Sequence, residues 1–259
     1  MYHNFGKAHT KKAEVTFYMK RQNIRRGIVL ITFLTLPIVF DYFSPAIPFF
    51  AAMEGIVSGS LIFFGILFLS SLLFGRAYCG WLCPVGGMQE CCMIAVDKKA
   101  KGGKLDLIKF FIWVPWLSAI IMLFFLNGGI KKFDFTYITI AHHGISLMDI
   151  KAYMVYYVCL TLVLMICLLG GKRGFCHYVC WAAPFLIIGT KIGKYFKFSL
   201  LKLRCEPEKC SSCGLCNKNC PMSLEVKDMV QTNDMNHSEC IFCGSCADSC
   251  PRKAIRFSI

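Results

Sequence analysis

The sequence predicts an α-helical membrane protein of four transmembrane helices, arranged as two pseudo-repeated hairpins, with a small C-terminal α+β module organised by cysteine. Three observations carry this. Four stretches are apolar and almost free of charge. The chain is 56% hydrophobic and only 17% charged, a membrane-protein composition. Eight of its 17 cysteines stand in two near-identical runs close to the C-terminus.

In chain order, residues 1–26 form a basic segment. It is too long for the n-region of a signal peptide, and no small-residue cleavage site follows, so no cleavable leader is expected. The first span, 27–43, contains Pro37 and Asp41 and is expected to be kinked or shallow. Residues 55–74 are 20 uncharged residues, about the number that crosses a ~30 Å hydrocarbon core as helix. Residues 110–126 and 152–169 are slightly shorter and equally uncharged, and Pro115 predicts a bend in the former. The expected domains are thus 1–26, a membrane domain over 27–204, and a cysteine module over 205–259.

The net charge of +14 does not point to nucleic acid. Residues 205–259 carry −1 and the rest +15, in short segments flanking the apolar stretches, with no base-stacking or helix-reading motif. Lys and Arg number seven in 1–26, six in 75–109 and seven in 170–204, against none in 41–54 and three in 127–151. The positive-inside rule then puts both termini in the cytosol of a multi-pass protein of the cytoplasmic membrane. Four spans return the C-terminal module to that reducing side, where metal-binding thiols persist.

That module reads Cys210-x2-Cys213-x2-Cys216-x3-Cys220-Pro221, then Cys240-x2-Cys243-x2-Cys246-x3-Cys250-Pro251. This is the bacterial two-cluster ferredoxin spacing, in which three cysteines of a run hold one [4Fe–4S] cube and the fourth ligates the other. It assigns Cys210, Cys213, Cys216 and Cys250 to one cluster, and Cys240, Cys243, Cys246 and Cys220 to the second. Structural zinc also uses Cys-x2-Cys pairs but has no use for a duplicated eight-cysteine run with Cys-Pro endings.

A second pattern follows the second and fourth spans. Arg76-Ala-Tyr-Cys79-Gly-Trp-Leu-Cys83-Pro84 corresponds in register to Arg173-Gly-Phe-Cys176-His-Tyr-Val-Cys180-Trp181. The repeat unit is a helix hairpin, Cys-x3-Cys, then a short apolar segment (84–96, 181–196) expected along the membrane interface. Spacing of i and i+4 predicts both thiols on one helical face. Together the motifs offer four thiolates at the cytosolic membrane edge, the set for a third iron–sulfur cluster. A redox-active dithiol and plain packing remain open beside that reading. Cys159 and Cys167 read as packing residues, Cys91 and Cys92 have no counterpart in the second repeat, and Cys205 is at best an adventitious ligand.

Four spans, two Cys-x3-Cys motifs and the C-terminal module resemble the membrane iron–sulfur family. That family contains quinol-dehydrogenase membrane components of periplasmic nitrate reduction, accessory membrane proteins of nitrous-oxide reductase, and cytochrome-oxidase assembly proteins that handle copper. Cys79-Gly-Trp-Leu-Cys83-Pro84 matches the family's Cys-x3-Cys-Pro motif, whereas Cys180 is followed by Trp181, with proline only at Pro184. The resemblance implies an electron-transfer subunit of an oxidoreductase complex. It would pass electrons between a quinone pool or extracytoplasmic redox partner and cytosolic carriers, beside other redox subunits. The rival classes are a metal-handling assembly factor, such as a cupric reductase, and a redox-sensing regulator. The scattered methionines and the single adjacent pair His142–His143 favour the first. Asp41, Glu54 and the 127–151 loop, with Lys131, Lys132, Asp134, His142, His143 and Asp149, are where an exterior partner or proton transfer would be sought.

Overall fold

The computed structural model describes residues 21–137 and 150–258, with residues 151 and 152 described in backbone only. Helix α1 (Arg21–Leu34) and the short α2 (Leu36–Val39) with its 3-10 extension to Phe43 meet at a 53° bend. The bend precedes Pro37, whose ring and missing N–H interrupt the helical ladder. Residues 41–54, which carry no Lys or Arg, are largely helical, with α3 over Ala46–Met53.

The next span starts later than the sequence predicts. Gly55 takes φ +74°, and β1 (Ile56–Ser58) pairs in parallel with β2 (Lys132–Asp134), so the helix α4 runs only Gly59–Phe74. The first turn of the expected 55–74 span is therefore strand. After α4 come α5 (Ala77–Trp81), α6 (Pro84–Ala95), α7 (Ile108–Leu126), which is unbroken through Pro115, and α8 (Ile150–Gly170). Residues Gly103–Leu126 and Tyr153–Gly170 are long and apolar enough to cross a membrane. The bent α1–α2 pair is a third such segment if taken as one span, and α4 is apolar but shorter. Phe111, Phe125 and Leu169 lie more than 70% exposed on these helices, as lipid-facing side chains do in the absence of lipid.

Behind α8 come α9 (Gly174–Tyr178) and α10 (Ala182–Tyr195). The helix following each motif packs on the other hairpin: α10 lies along α4, and α6 against α8. Small residues permit the first contact. A Cβ on Gly189 would fall 2.8 Å from the Phe68 carbonyl oxygen, and one on Gly193 2.1 Å from that of Leu72. The two helices thus meet backbone to side-chainless backbone. The segment expected along the interface is, in the second repeat, a core helix.

In the C-terminal module β3 (Lys202–Cys205) pairs antiparallel with β4 (Ile255–Ser258), and α11 (Leu215–Lys218), α12 (Val226–Gln231) and α13 (Ser245–Asp248) complete it. The two cysteine runs repeat one backbone conformation. Ser212, Gly214 and Ser223 have positive φ, and so do their counterparts Phe242, Gly244 and Lys253. The module docks on the end of the helical domain opposite the β1–β2 ladder. Phe242 covers Gly75 at the end of α4, Glu239 meets Lys109 at the start of α7, and Arg21 at the start of α1 pairs with Asp248.

Candidate metal centres

Two cavities lie inside the C-terminal module. One is lined by Cys210, Cys213, Cys216 and Cys250. The other is lined by Cys220, Cys240, Cys243 and Cys246. Each therefore takes three thiols from one run and one from the other. Backbone N–H groups already point at sulfur, Ser212 to Cys210 Sγ at 3.4 Å and Ala254 to Cys250 Sγ at 3.3 Å. Burial pushes the Cys220 thiol up to about 12 and the Cys240 thiol up to about 11, so neither is a stable free thiolate, whereas a coordinated one is deprotonated by its metal. Among the described residues no three His, Cys, Asp or Glu side chains are drawn in closely enough to hold a single metal ion.

The Cys-x3-Cys motifs are built alike, but not as one helical face. Cys79 lies in α5, which ends at Trp81, and Cys83 is the extended cap residue before α6. The Tyr78 carbonyl accepts from the N–H of both Leu82 and Cys83, and the Phe175 carbonyl accepts from both Val179 and Cys180. Each motif is thus a short helix closed by a turn, with one thiol before the corner and one after. Pro84 opens α6 in the first repeat, where a missing N–H costs nothing. In the second, Trp181 occupies that place and donates its indole N–H to the Phe43 carbonyl at 2.8 Å.

The repeats are bolted crosswise. Gln89 of α6 donates to Cys176 Sγ at 3.1 Å and accepts from the Cys176 N–H at 3.3 Å. Arg173 donates from Nη1 to the Cys79 carbonyl at 2.6 Å. These bonds bring Cys79, Cys83, Cys176 and Cys180 to one place, where each interacts electrostatically with others of the set. Burial pushes the thiols of Cys79 and Cys83 up, and that of Cys180 up to about 12. A redox-active dithiol works through a lowered thiol pKa, so this environment weighs against that reading.

Arg76 and Arg173 are fully buried beside the thiols. Glu90 receives Arg25 and Arg173, and Glu239 receives Arg76 at 2.6 Å and Lys109 at 2.7 Å. Burial would push the Glu239 carboxyl up, but Arg76 and Lys109 outweigh it and hold it at about 2. Two carboxylates thus face four cations, leaving an excess of positive charge around the thiols. Three guanidinium N–H groups, Arg76 Nε and Nη2 and Arg173 Nε, have no partner, and buried unpaired donors cost about 1–3 kcal/mol each, more when charged. An anionic thiolate-ligated cluster fits a site with four thiols and spare buried donors. Glu90, Gln89 and Glu239 did not stand out in the sequence. The available signal was their polarity, in a helix that is otherwise apolar and directly before a cysteine of the second run.

The first motif also touches the module. A Cβ on Gly80 would fall 2.3 Å from the Ile241 carbonyl oxygen, and Trp81 donates to the Phe242 carbonyl at 3.0 Å. Both partners lie between Cys240 and Cys243. His177 of the second motif is pinned between Asp106 at 2.6 Å and the Met222 carbonyl at 3.1 Å. Glu54 accepts from Tyr137 at 2.9 Å. Cys167 is buried against Met88, Val163 and Phe175, Cys91 is exposed, Cys92 and Cys159 are half-buried, and Cys205 donates to Asn233 Oδ1 at 3.3 Å. His142, His143 and Asp149 lie outside the described residues.

A 4Fe-4S binding domain matches twice, over residues 58–101 and 153–194, and a 4Fe-4S dicluster domain matches 209–255. The chain is 30% identical over 202 residues to the putative electron transport protein YccM of Escherichia coli, covering 70% of this chain and 50% of that one. It is 24% identical over 220 residues to the methylamine utilization ferredoxin-type protein MauN of Methylobacillus flagellatus, covering 81% and 74%. The ferredoxin-type protein NapH of Haemophilus influenzae is 22% identical, covering 74% and 66%. The chain thus carries 4Fe-4S binding domains and resembles iron–sulfur electron-transport proteins. It spans about half the length of the first of these relatives, and no solved structure matches it. Each stretch matching the 4Fe-4S binding domain holds one Cys-x3-Cys motif and the helices on either side of it. The iron–sulfur domains expected from the sequence are thus matched, and two helices are long and apolar enough to cross a membrane.

Proposed function

We propose that this chain is a four-span electron relay of the cytoplasmic membrane, with both termini and the ferredoxin module in the cytosol. It would exchange electrons between a quinone pool or extracytoplasmic redox partner and cytosolic carriers, together with other redox subunits. Cys210, Cys213, Cys216 and Cys250 hold one [4Fe–4S] cluster and Cys220, Cys240, Cys243 and Cys246 a second. Cys79, Cys83, Cys176 and Cys180 hold a third at the membrane edge. Such clusters supply one-electron transfer when bound.

The observation that carries this reading is the meeting of the two Cys-x3-Cys motifs beneath the Cys240–Cys243 loop, with spare guanidinium donors around them. Gln89 and Arg173 fix the positions of the two motifs, the aromatic residues Tyr78, Phe63 and Trp181 pack around the thiols, and Gly80 lets the backbones of both centres touch. The names of YccM, MauN and NapH, an electron transport protein and two ferredoxin-type proteins, agree with it.

Anaerobic iron and sulfide counting with EPR on the intact protein tests the reading. The expected content is about twelve irons, falling to about eight in Cys79→Ser/Cys176→Ser with the two ferredoxin signals retained. Equal iron in wild type and variant removes the third centre. Purified protein that reduces Cu(II) but exchanges electrons with neither quinols nor an extracytoplasmic redox protein would favour the metal-handling class instead.

A further inference from the structure

Arg76 stands between two of the proposed centres and faces both. Its Nη1 donates to Glu239 Oε2 at 2.6 Å and to the Ser238 carbonyl at 3.2 Å, on the two residues that precede Cys240. Its Nε and Nη2 have no partner, although the side chain is fully buried. The guanidinium also lies beside the Cys79 thiol, close enough for a weak hydrogen bond, and acts electrostatically on Cys79 and Cys176. The same guanidinium acts on Cys240 across the domain boundary. Arg173, the corresponding residue of the second repeat, is occupied differently, spending its two terminal nitrogens on the Cys79 carbonyl and Glu90. Both arginines act on the thiols, but of the two Arg76 is the one anchored to the residues that precede Cys240.

We propose that Arg76 is a positioning and tuning residue that sets the reduction potential of the membrane-edge centre and couples it to the centre at Cys220, Cys240, Cys243 and Cys246. The inference rests on the third centre proposed above. Reduction adds negative charge, which a fixed buried cation stabilises in a low-dielectric setting. Guanidinium N–H groups beside the Cys79 sulfur act in the same direction, since hydrogen bonds to cluster sulfurs help set cluster potentials. Glu239 works against this. Its carboxylate offsets part of the Arg76 charge and lies next in sequence to a ligand of the other centre. Removing the cation and removing the anion should therefore move potentials in opposite directions, whereas two merely structural lesions would both loosen the site.

The test is anaerobic potentiometric titration followed by EPR, with iron counted in parallel, on the full chain as wild type, Arg76→Gln, Arg76→Lys and Glu239→Gln. The expected result is a lower midpoint for the membrane-edge signal in Arg76→Gln, a higher one in Glu239→Gln, and an intermediate value in Arg76→Lys, which keeps the charge but not the fork. The signal of the Cys240 centre should shift in the same direction as its neighbour in the Gln variants. Full iron with an unmoved midpoint in Arg76→Gln overturns the proposal, as do shifts of the same sign in Arg76→Gln and Glu239→Gln. If Arg76→Gln fails to load its third cluster, the Glu239→Gln midpoint decides, with a rise supporting the proposal and no rise overturning it. A wild type with eight irons and no third signal overturns both this proposal and the reading beneath it. A third signal that ignores Arg76 overturns this proposal alone.

Discussion

In the C-terminal module, three of the four thiols at each cavity come from one short run. At the Cys-x3-Cys site, two come from each of two motifs separated by α6, α7 and α8. The module's sulfurs are met by backbone N–H groups of their own loops, as at Ser212 and Ala254. At the Cys-x3-Cys site Cys83 Sγ is likewise met by the N–H of Gly86, but the two motifs are tied by side chains from the other repeat, Gln89 on the Cys176 sulfur and Arg173 on the Cys79 carbonyl, beside buried charge. The contrast shows how one ligand type can be supported by local chain geometry or by tertiary structure. A locally built site should survive damage to the fold around it. A site assembled from tertiary contacts should not.

The largest effects separate the two modes outright. Cys220→Ser and Cys243→Ser should abolish the same EPR signal and about four irons each, leaving the signal that depends on Cys213. Loss of the Cys213-dependent signal in Cys220→Ser would break the cross-run assignment. Gly193→Val, which drives a side chain into the Leu72 carbonyl, should cost the membrane-edge iron while both module signals persist. Retention of all the iron would mean that α10 need not seat on α4.

Charge comes next. Glu90→Gln leaves Arg25 and Arg173 without their shared carboxylate and should destabilise the membrane domain by about 3–5 kcal/mol, read as a fall in thermal midpoint. Glu239, held at about 2 in the folded chain against a usual 4.5, should contribute about 3 kcal/mol. Because its pKa is lowered by folding, that contribution is complete above about pH 4.5 and fades as pH falls toward 2. The melting difference between wild type and Glu239→Gln should narrow as pH drops through that window. A difference that stays constant would remove the ion pair from the account. The smallest effect belongs to Lys99→Gln, whose partner Glu225 is as exposed as itself. It should cost at most about 1 kcal/mol and leave iron content unchanged.

What the sequence made legible follows the same division. The spacing from Cys210 to Cys250 is local information, and it names the same two sets of four that line the two cavities. The internal repeat identified Cys79, Cys83, Cys176 and Cys180, but the face argument failed because α5 stops at Trp81 and the chain turns before Cys83. Helix α3 and strand β1 were hidden inside apolar stretches whose composition also suits a connection or a span. The Arg76–Glu239–Lys109 cluster joins residues far apart in the chain, and no short-range pattern announces it.

The crosswise packing of α10 on α4 and of α6 on α8 bears on biosynthesis. A ribosome making this chain would deliver the first hairpin and its cysteine pair well before their partners exist. Until α10 emerges, the contact surface of α4 around Phe68 and Leu72 has nothing to close it, and until Arg173 is made the Cys79 carbonyl lacks its donor. The four Cys-x3-Cys thiols therefore come together only after α10 has been made, so the third centre proposed above would load late, once the helical domain is complete.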